Sequence, residues 1–191
     1  MKPLFLTLGL SLSLLIGGCA VSPQSVVLLP QATLNGPAYG QGRAMTIKVE
    51  DRRSSSVLGS RGGVYETSSV ITISNDISGA LLLAAQASAA QLGFDGSSSS
   101  APAHLTLILE ELTYDTKTNN LIHTVSIDAK ITLVTTVGDS IHTGHYSTQR
   151  SHKFPRLPEA QKNQEIINEV LSTSLERGFS DISLANFLGQ N

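Results

Sequence analysis

The period of the apolar positions changes along the chain, and each change marks a different kind of element. Leu4 to Ile16 is an apolar run interrupted only by Thr7, Ser11 and Ser13, with Lys2 before it and Gly17-Gly18-Cys19 after it. A membrane-spanning helix needs about 20 apolar residues, so this run is too short to span and has the shape of a cleaved leader. Val26-Val27-Leu28-Leu29 is the next apolar patch, and it predicts an edge strand docked on the domain. The rest of residues 20–44 is rich in Pro, Gly and Gln and reads as tether.

From residue 45 the period is that of a folded domain. Met45, Ile47 and Val49 alternate with Thr46, Lys48 and Glu50, which predicts a half-buried strand. Ser and Gly between 54 and 63 predict a loop, and Val70 to Ile73 a second short strand. Ser74-Asn75-Asp76 offers capping groups for a helix whose face is Ile77, Leu81, Ala84, Ser88 and Leu92, stopped by Gly93. Leu105, Leu107 and Leu109 start a strand running to Tyr114, followed by a turn at Lys117 to Asn120. Val125, Ile127, Ala129, Ile131 and Leu133 alternate with polar residues in the next strand, and Gly138-Asp139 turns it into Ile141 to Arg150. Pro158 opens a helix with Ile167, Val170, Leu171, Ser174 and Leu175 on its apolar face and Glu159, Lys162, Glu165 and Glu169 in water. Arg177-Gly178-Phe179 is expected to close that helix, and Asp181 to cap a short last one carrying Ile182, Leu184, Ala185 and Leu188. The order strand, helix, three strands, helix predicts an α+β domain over 45–191: an antiparallel sheet with helices on one face.

The first helix departs from ordinary patterning. No charge occurs from Ile77 to Leu92, and the side away from the core, with Leu82, Leu83, Gln86, Ala89 and Ala90, is unusually apolar. It is expected to be covered, either by Val26 to Leu29 or by a partner protein at Leu82, Leu83, Gln86 and Ala90.

Composition narrows the function. Removing residues 1–18 leaves 173 residues with twelve basic and fifteen acidic side chains, about −3 in net charge. With no basic excess and no Trp, nucleic-acid binding is disfavoured. Cys19 is the single cysteine, so the chain can form no internal disulfide. Ile16-Gly17-Gly18-Cys19 closing an apolar run resembles the bacterial lipoprotein signal. That resemblance implies a diacylglyceryl group on the thiol and an acyl chain on the freed amine, which together anchor a protein stably. Ala20, where an inner-membrane lipoprotein carries Asp, points to the periplasmic leaflet of the outer membrane of a Gram-negative cell.

Candidate chemistry is sparse, and no cofactor or metal is expected. His142 and His145 are three apart on a predicted strand, which sends them to opposite faces, while His104, His123 and His152 sit near strand ends. No Gly-x-Ser-x-Gly elbow, phosphate loop or catalytic triad occurs. Glu110-Glu111 are adjacent and diverge on a strand. Asp51, Arg52, Arg53 and Arg61 could hold an anionic group, but an acid beside guanidinium groups more often pairs locally.

With these pieces placed, the chain resembles the YajG-like family of bacterial lipoproteins. The match is carried by Cys19, the strand ending Asp51-Arg52-Arg53 with Leu58-Gly59-Ser60-Arg61, and Leu92-Gly93-Phe94. Leu107-Ile108-Leu109 with Tyr114, Ile167-Asn168 with Leu171 and Leu175, and Asp181 with Leu184 complete it. The resemblance implies an envelope location and this fold, with no catalytic motif. The expected function is a non-enzymatic accessory or binding component of an envelope complex, anchored by Cys19. Its rivals are a peptidoglycan hydrolase and a small-ligand or lipid-binding module.

Overall fold

The computed structural model describes residues 21–63, 66–95 and 102–190. Cys19 and the expected leader, residues 1–18, lie outside the described residues. Three long strands form the body of the sheet: β5 (Ala103–Asn119), β6 (Ile122–Val137) and β7 (Ser140–Phe154), paired antiparallel in sequence order. Gly138-Asp139 makes the second turn as expected, with Val137 opposite Ser140. The first turn is two residues later than its composition suggests. Asn119 pairs with Ile122, and Asn120 and Leu121 both take positive φ, 48° and 64°, as a two-residue turn compatible with strand twist requires.

Inside β5 the apolar phase slips. Leu105, Leu107 and Leu109 face the core, and so do Leu112 and Tyr114. The shift occurs at a bulge between Leu109 and Glu111, where one extra residue returns the even-numbered side chains to the core face. Glu110 and Glu111 occupy this irregularity. Glu110 Oε1 accepts from Thr132 Oγ1 at 2.7 Å, and Glu111 pairs with Lys130.

The expectation of an antiparallel sheet is corrected: the sheet is mixed and has seven strands. β2 (Met45–Asp51) runs parallel to β5 along Ala103 to Leu109, and β3 (Val57–Ser60) takes the next stretch of the same edge at Tyr114. β4 (Val70–Ile73) pairs antiparallel with β3, and β1 (Gln24–Val26) pairs parallel with β4. Side-chain alternation reports which residues share a face but carries no information on the direction of the neighbouring strand. β3 falls within the Ser- and Gly-rich stretch 54–63 that predicts a loop, and Gly59 lies in it. There the chain lies so close to β5 that a Cβ would stand 1.7 Å from the Tyr114 carbonyl oxygen, so the glycine permits the strand.

Three helices cover one face. α1 (Ile77–Gln91) starts at Asp76, whose Oδ1 accepts from Ser78 N at 3.0 Å, and ends at Leu92 with Gly93 at φ 83°. α2 (Ala160–Phe179) begins after Glu159, placing Pro158 just outside the helix and not in its first turn. Gly178 does not stop α2 as expected. It lies inside the helix, where a Cβ would meet Leu133 Cδ1 at 2.8 Å, so its absent side chain lets α2 settle onto β6. α3 (Ile182–Gln190) is capped by Asp181 Oδ1, which accepts from Ser183 N at 2.8 Å. The expected apolar faces of α1 and α2 are buried against Leu105, Leu107, Ile127, Ile131 and Leu133.

Candidate functional site

The stretch expected to be tether is built into the domain from Gln24 onward, and it organises the surface with binding potential. After β1 the chain crosses the outside of α1 and α2 as an extended strap, with Val26, Leu28, Pro30 and Ala32 buried and Val27, Leu29, Gln31 and Thr33 outward. An extended chain outside a sheet must satisfy its N–H groups elsewhere. Here α2 supplies acceptors at every fourth position: Gln164 Oε1, Asn168 Oδ1, Ser172 Oγ and Glu176 Oε1 accept from the N–H groups of Val27, Leu29, Gln31 and Thr33 at 2.8–3.1 Å. Two extended residues advance about 6.5 Å and four helical residues about 6 Å, so the two repeats stay nearly in step.

On the other side α1 holds the strap only at its ends. Asn75 accepts from Leu28 N and donates to Leu28 O, both at 2.8 Å, and Gln91 accepts from Leu34 N at 3.0 Å and donates to Ala32 O at 2.9 Å. Between them the strap meets Ala80, Ala84 and Ala87. Pro30, with no N–H to satisfy, stands where α1 offers only these methyl groups. The cover over α1 is thus intramolecular and partial. Leu83 remains 67% exposed and lines a groove of about 470 Å³ with Leu29, itself 58% exposed. Of the expected partner surface, Leu82 is half-buried, whereas Gln86 and Ala90 are exposed.

Past the strap a larger cleft of about 590 Å³ opens between the strap, α2 and α3. Leu34, Pro37, Tyr39, Phe179 and Ile182 give it apolar walls. The Tyr39 hydroxyl is buried with no hydrogen-bond partner among the described residues, and burial, with the nearby Asp181 carboxylate, pushes its pKa up to about 12. Below it Tyr146 Oη donates to Asp181 Oδ2 at 2.6 Å. Burial raises the Asp181 carboxyl, but hydrogen bonds from Tyr146 and Ser183 outweigh it and hold the group below its ordinary value. The size and lining suit a small apolar molecule.

The polar cluster separates into two. Arg53 Nη2 meets Asp51 Oδ2 at 2.7 Å and Arg53 Nε meets Asp51 Oδ1 at 2.9 Å, a bidentate local pair, while Arg52 pairs with Glu50 at 2.5 Å. Arg61 makes its contacts elsewhere. It is 8% exposed and donates to Ser22 O at 2.8 Å and Pro158 O at 3.0 Å, latching the start of the strap to the approach of α2. Turned so that its carbonyl faces Arg61, the Gln24 amide also accepts from Arg61 Nη2 at 3.1 Å. No acid partners Arg61 in these contacts, so its guanidinium binds backbone oxygen and leaves no face for an outside anion.

The histidines diverge as the strand geometry requires. His142 stacks on Phe187 of α3 with ring centroids 5.6 Å apart, whereas His145 Nδ1 lies 2.7 Å from Thr132 Oγ1 on the other face. Among the described residues no group of three or more His, Cys, Asp or Glu is placed to hold a metal, and no helix is long and apolar enough to cross a membrane. The expected docking of Val26 to Leu29 holds, with Val26 ending the edge strand β1 and Leu28 buried, whereas sequence reasoning missed the continuation of the strap through Thr33 and the cleft. The signal for the first was the spacing of Gln164, Asn168, Ser172 and Glu176, which forms a third stripe on α2 between its apolar and charged faces.

Among solved structures, protein XCC0632 from Xanthomonas campestris aligns with a TM-score of 0.53 at 9% identity over 87% of this chain and 97% of its own. That likeness is one of fold alone. A minor lipoprotein from Acinetobacter baumannii aligns at 0.33 with 12% identity, over 82% of this chain and 95% of its own. Lipoprotein GNA1162 from Neisseria meningitidis aligns at 0.26 with 11% identity, over 69% and 96%. Neither of these two carries an argument at such scores. No curated protein matches the chain significantly. A family model described as an uncharacterized lipoprotein matches residues 30–189, from the strap to the end of α3. That span takes in every element from β2 onward, and the chain belongs to the YajG family of bacterial lipoproteins.

Proposed function

We propose that the protein is a non-enzymatic envelope lipoprotein, acylated at Cys19 on the periplasmic leaflet of the outer membrane, which offers the groove between strap and α1 to a protein partner. The family and the Gly17-Gly18-Cys19 ending of the leader support the anchor, and Ala20 supports the outer membrane. One observation carries the binding role: the same segment that leads from Cys19 frames the groove, with Leu29 on the strap beside Leu83 on α1. Two large apolar side chains left in water on adjacent elements form a patch that a partner would dry.

A photo-activated cross-linker placed at Leu83 in intact cells tests the binding role. A discrete protein adduct is expected there and none from Gln149, on the wet face of β7. Absence of any adduct at Leu83 overturns it. Mass spectrometry of the native N-terminus tests the anchor, and an unmodified Cys19 thiol removes it.

The cleft beside Tyr39 supports a second reading, a small-ligand or lipid-binding module, which predicts a co-purifying molecule in native mass spectrometry. The hydrolase reading gains no such support. Glu110 and Glu111 are engaged by Thr132 and Lys130 and line a recess of about 80 Å³, well below a ligand pocket of roughly 300 Å³ or more.

A further inference from the structure

The fold fixes the end of the domain at which its N-terminal segment leaves. β1 is parallel to β4, β4 is antiparallel to β3, and β3 is parallel to β5. β1 therefore runs opposite to β5, and the chain leading back from Gln24 to Val21 heads for the end of the sheet where β5 turns into β6. Arg61 holds Ser22 at that end, and the backbone there is packed: a Cβ on Gly63 would meet Val21 Cγ2 at 3.3 Å. Cys19 lies three positions before Ser22, a reach of about 10 Å at full extension. The level of the latch is marked by Gly62 facing Thr116, and the turn at Asn120 stands four residues, about 13 Å, beyond it. That reach is long enough to bring an acylated Cys19 close to the level of the hairpin tip.

The chemistry of that tip fits a bilayer. Leu121 is 85% exposed and Ile122 is 40% exposed. Leu121 also holds φ at 64°, a position for which Gly or Asn is the ordinary choice, so an apolar side chain is displayed in water at a strained backbone position. Around it stand exposed Lys117, Lys153 and Arg156, with Lys153 opposite Thr124 in the adjoining strand pair. Acids at this end among the described residues include Asp115, which lies 3.8 Å from Lys117, Glu159 before α2, and Glu66 in the connection from β3 to β4. Apolar tip and basic surround are the arrangement that an anionic interface attracts within a Debye length.

We infer that the end of the sheet carrying the β5–β6 turn is a bilayer-facing surface, with Leu121 and Ile122 entering the interface and Lys117, Lys153 and Arg156 meeting anionic headgroups. The inference rests on acylation of Cys19. The domain stands upright on the membrane, with the Gly138-Asp139 turn roughly 50 Å away at the far end of β6.

The full mature chain in vesicles of phosphatidylethanolamine and phosphatidylglycerol tests it. Cys19 is the single native cysteine and acylation blocks its thiol, so Leu121→Cys or Asp139→Cys accepts one environment-sensitive dye. The expected result is a blue-shifted emission resistant to iodide at 121, with full quenching at 139. Combining Lys117→Glu, Lys153→Glu and Arg156→Glu should restore quenching at 121. Two dyes per chain would show a free Cys19 thiol and remove the anchor itself. One dye per chain with equal quenching at 121 and 139 would overturn the bilayer-facing surface while leaving the anchor in place.

Discussion

α1 and α2 lie side by side on the same sheet and hold the same strap, yet they do so by opposite chemistry. α2 presents a row of side-chain acceptors in step with the N–H groups of the strap. α1 has no charge and presents alanine methyls along the middle, and the amides that bond the strap stand at its two ends, Asn75 and Gln91. One side of the strap is fixed by hydrogen bonds that set its register, and the other by burial, which sets only its depth. That division leaves the α1 side open as a groove while the strap cannot slide.

The comparison can be broken first at depth. Leu28 is fully buried between the helices, so Leu28→Ala should cost about 2–5 kcal/mol in urea denaturation. A loss below about 1 kcal/mol would mean that the strap is laid on the core and is no part of it. Register comes next. Asn168→Ala combined with Ser172→Ala removes two acceptors and should cost about 1–2 kcal/mol in all. Hydrogen exchange should quicken at the Leu29 and Gln31 amides and stay unchanged in β6, and uniform quickening would deny the local role.

A pH titration sharpens the contrast between a charged and an uncharged helix end. Asp181, after α2, has its carboxyl held below the ordinary value, so its contribution is present above the unfolded pKa of about 4 and is lost as pH falls through the lower folded value. Tyr146→Phe should therefore cost about 1 kcal/mol at neutral pH and progressively less in acid. A gap that persists unchanged in acid would place the Tyr146 contribution in packing. The smallest effect is expected at Leu83→Glu, within about 0.5 kcal/mol of the parent because the side chain is already in water. A larger loss would show that the groove is filled in the free protein.

Much of the scaffold could be read because its elements have a single dry face. The alternation of Val125 to Leu133, the caps at Asp76 and Asp181 and the turn at Gly138-Asp139 are local signals with local causes. Gly59 and Gly178 were misjudged for one shared reason. Each was taken as a breaker, whereas each is small because another element comes too close, and proximity in space leaves no periodic mark. The strap was hidden differently. Beyond the docked Val26 to Leu29, its backbone is satisfied by side chains some 140 positions away, so the Pro, Gln and Thr there looked like linker composition. The polar cluster dissolved because adjacency in sequence brought Asp51 to Arg53, while Arg61, only eight positions on, turns to Ser22 and Pro158.

Sequence alone determined the lone cysteine, the α+β class, the caps and the apolar faces, since these depend on residue type and on periods of two and 3.6. Tertiary structure decided the parallel pairings, the course of residues 24–43 and the clefts beside them. Those features follow from which distant groups meet, and a backbone N–H accepts any suitably placed oxygen, whatever its position along the chain.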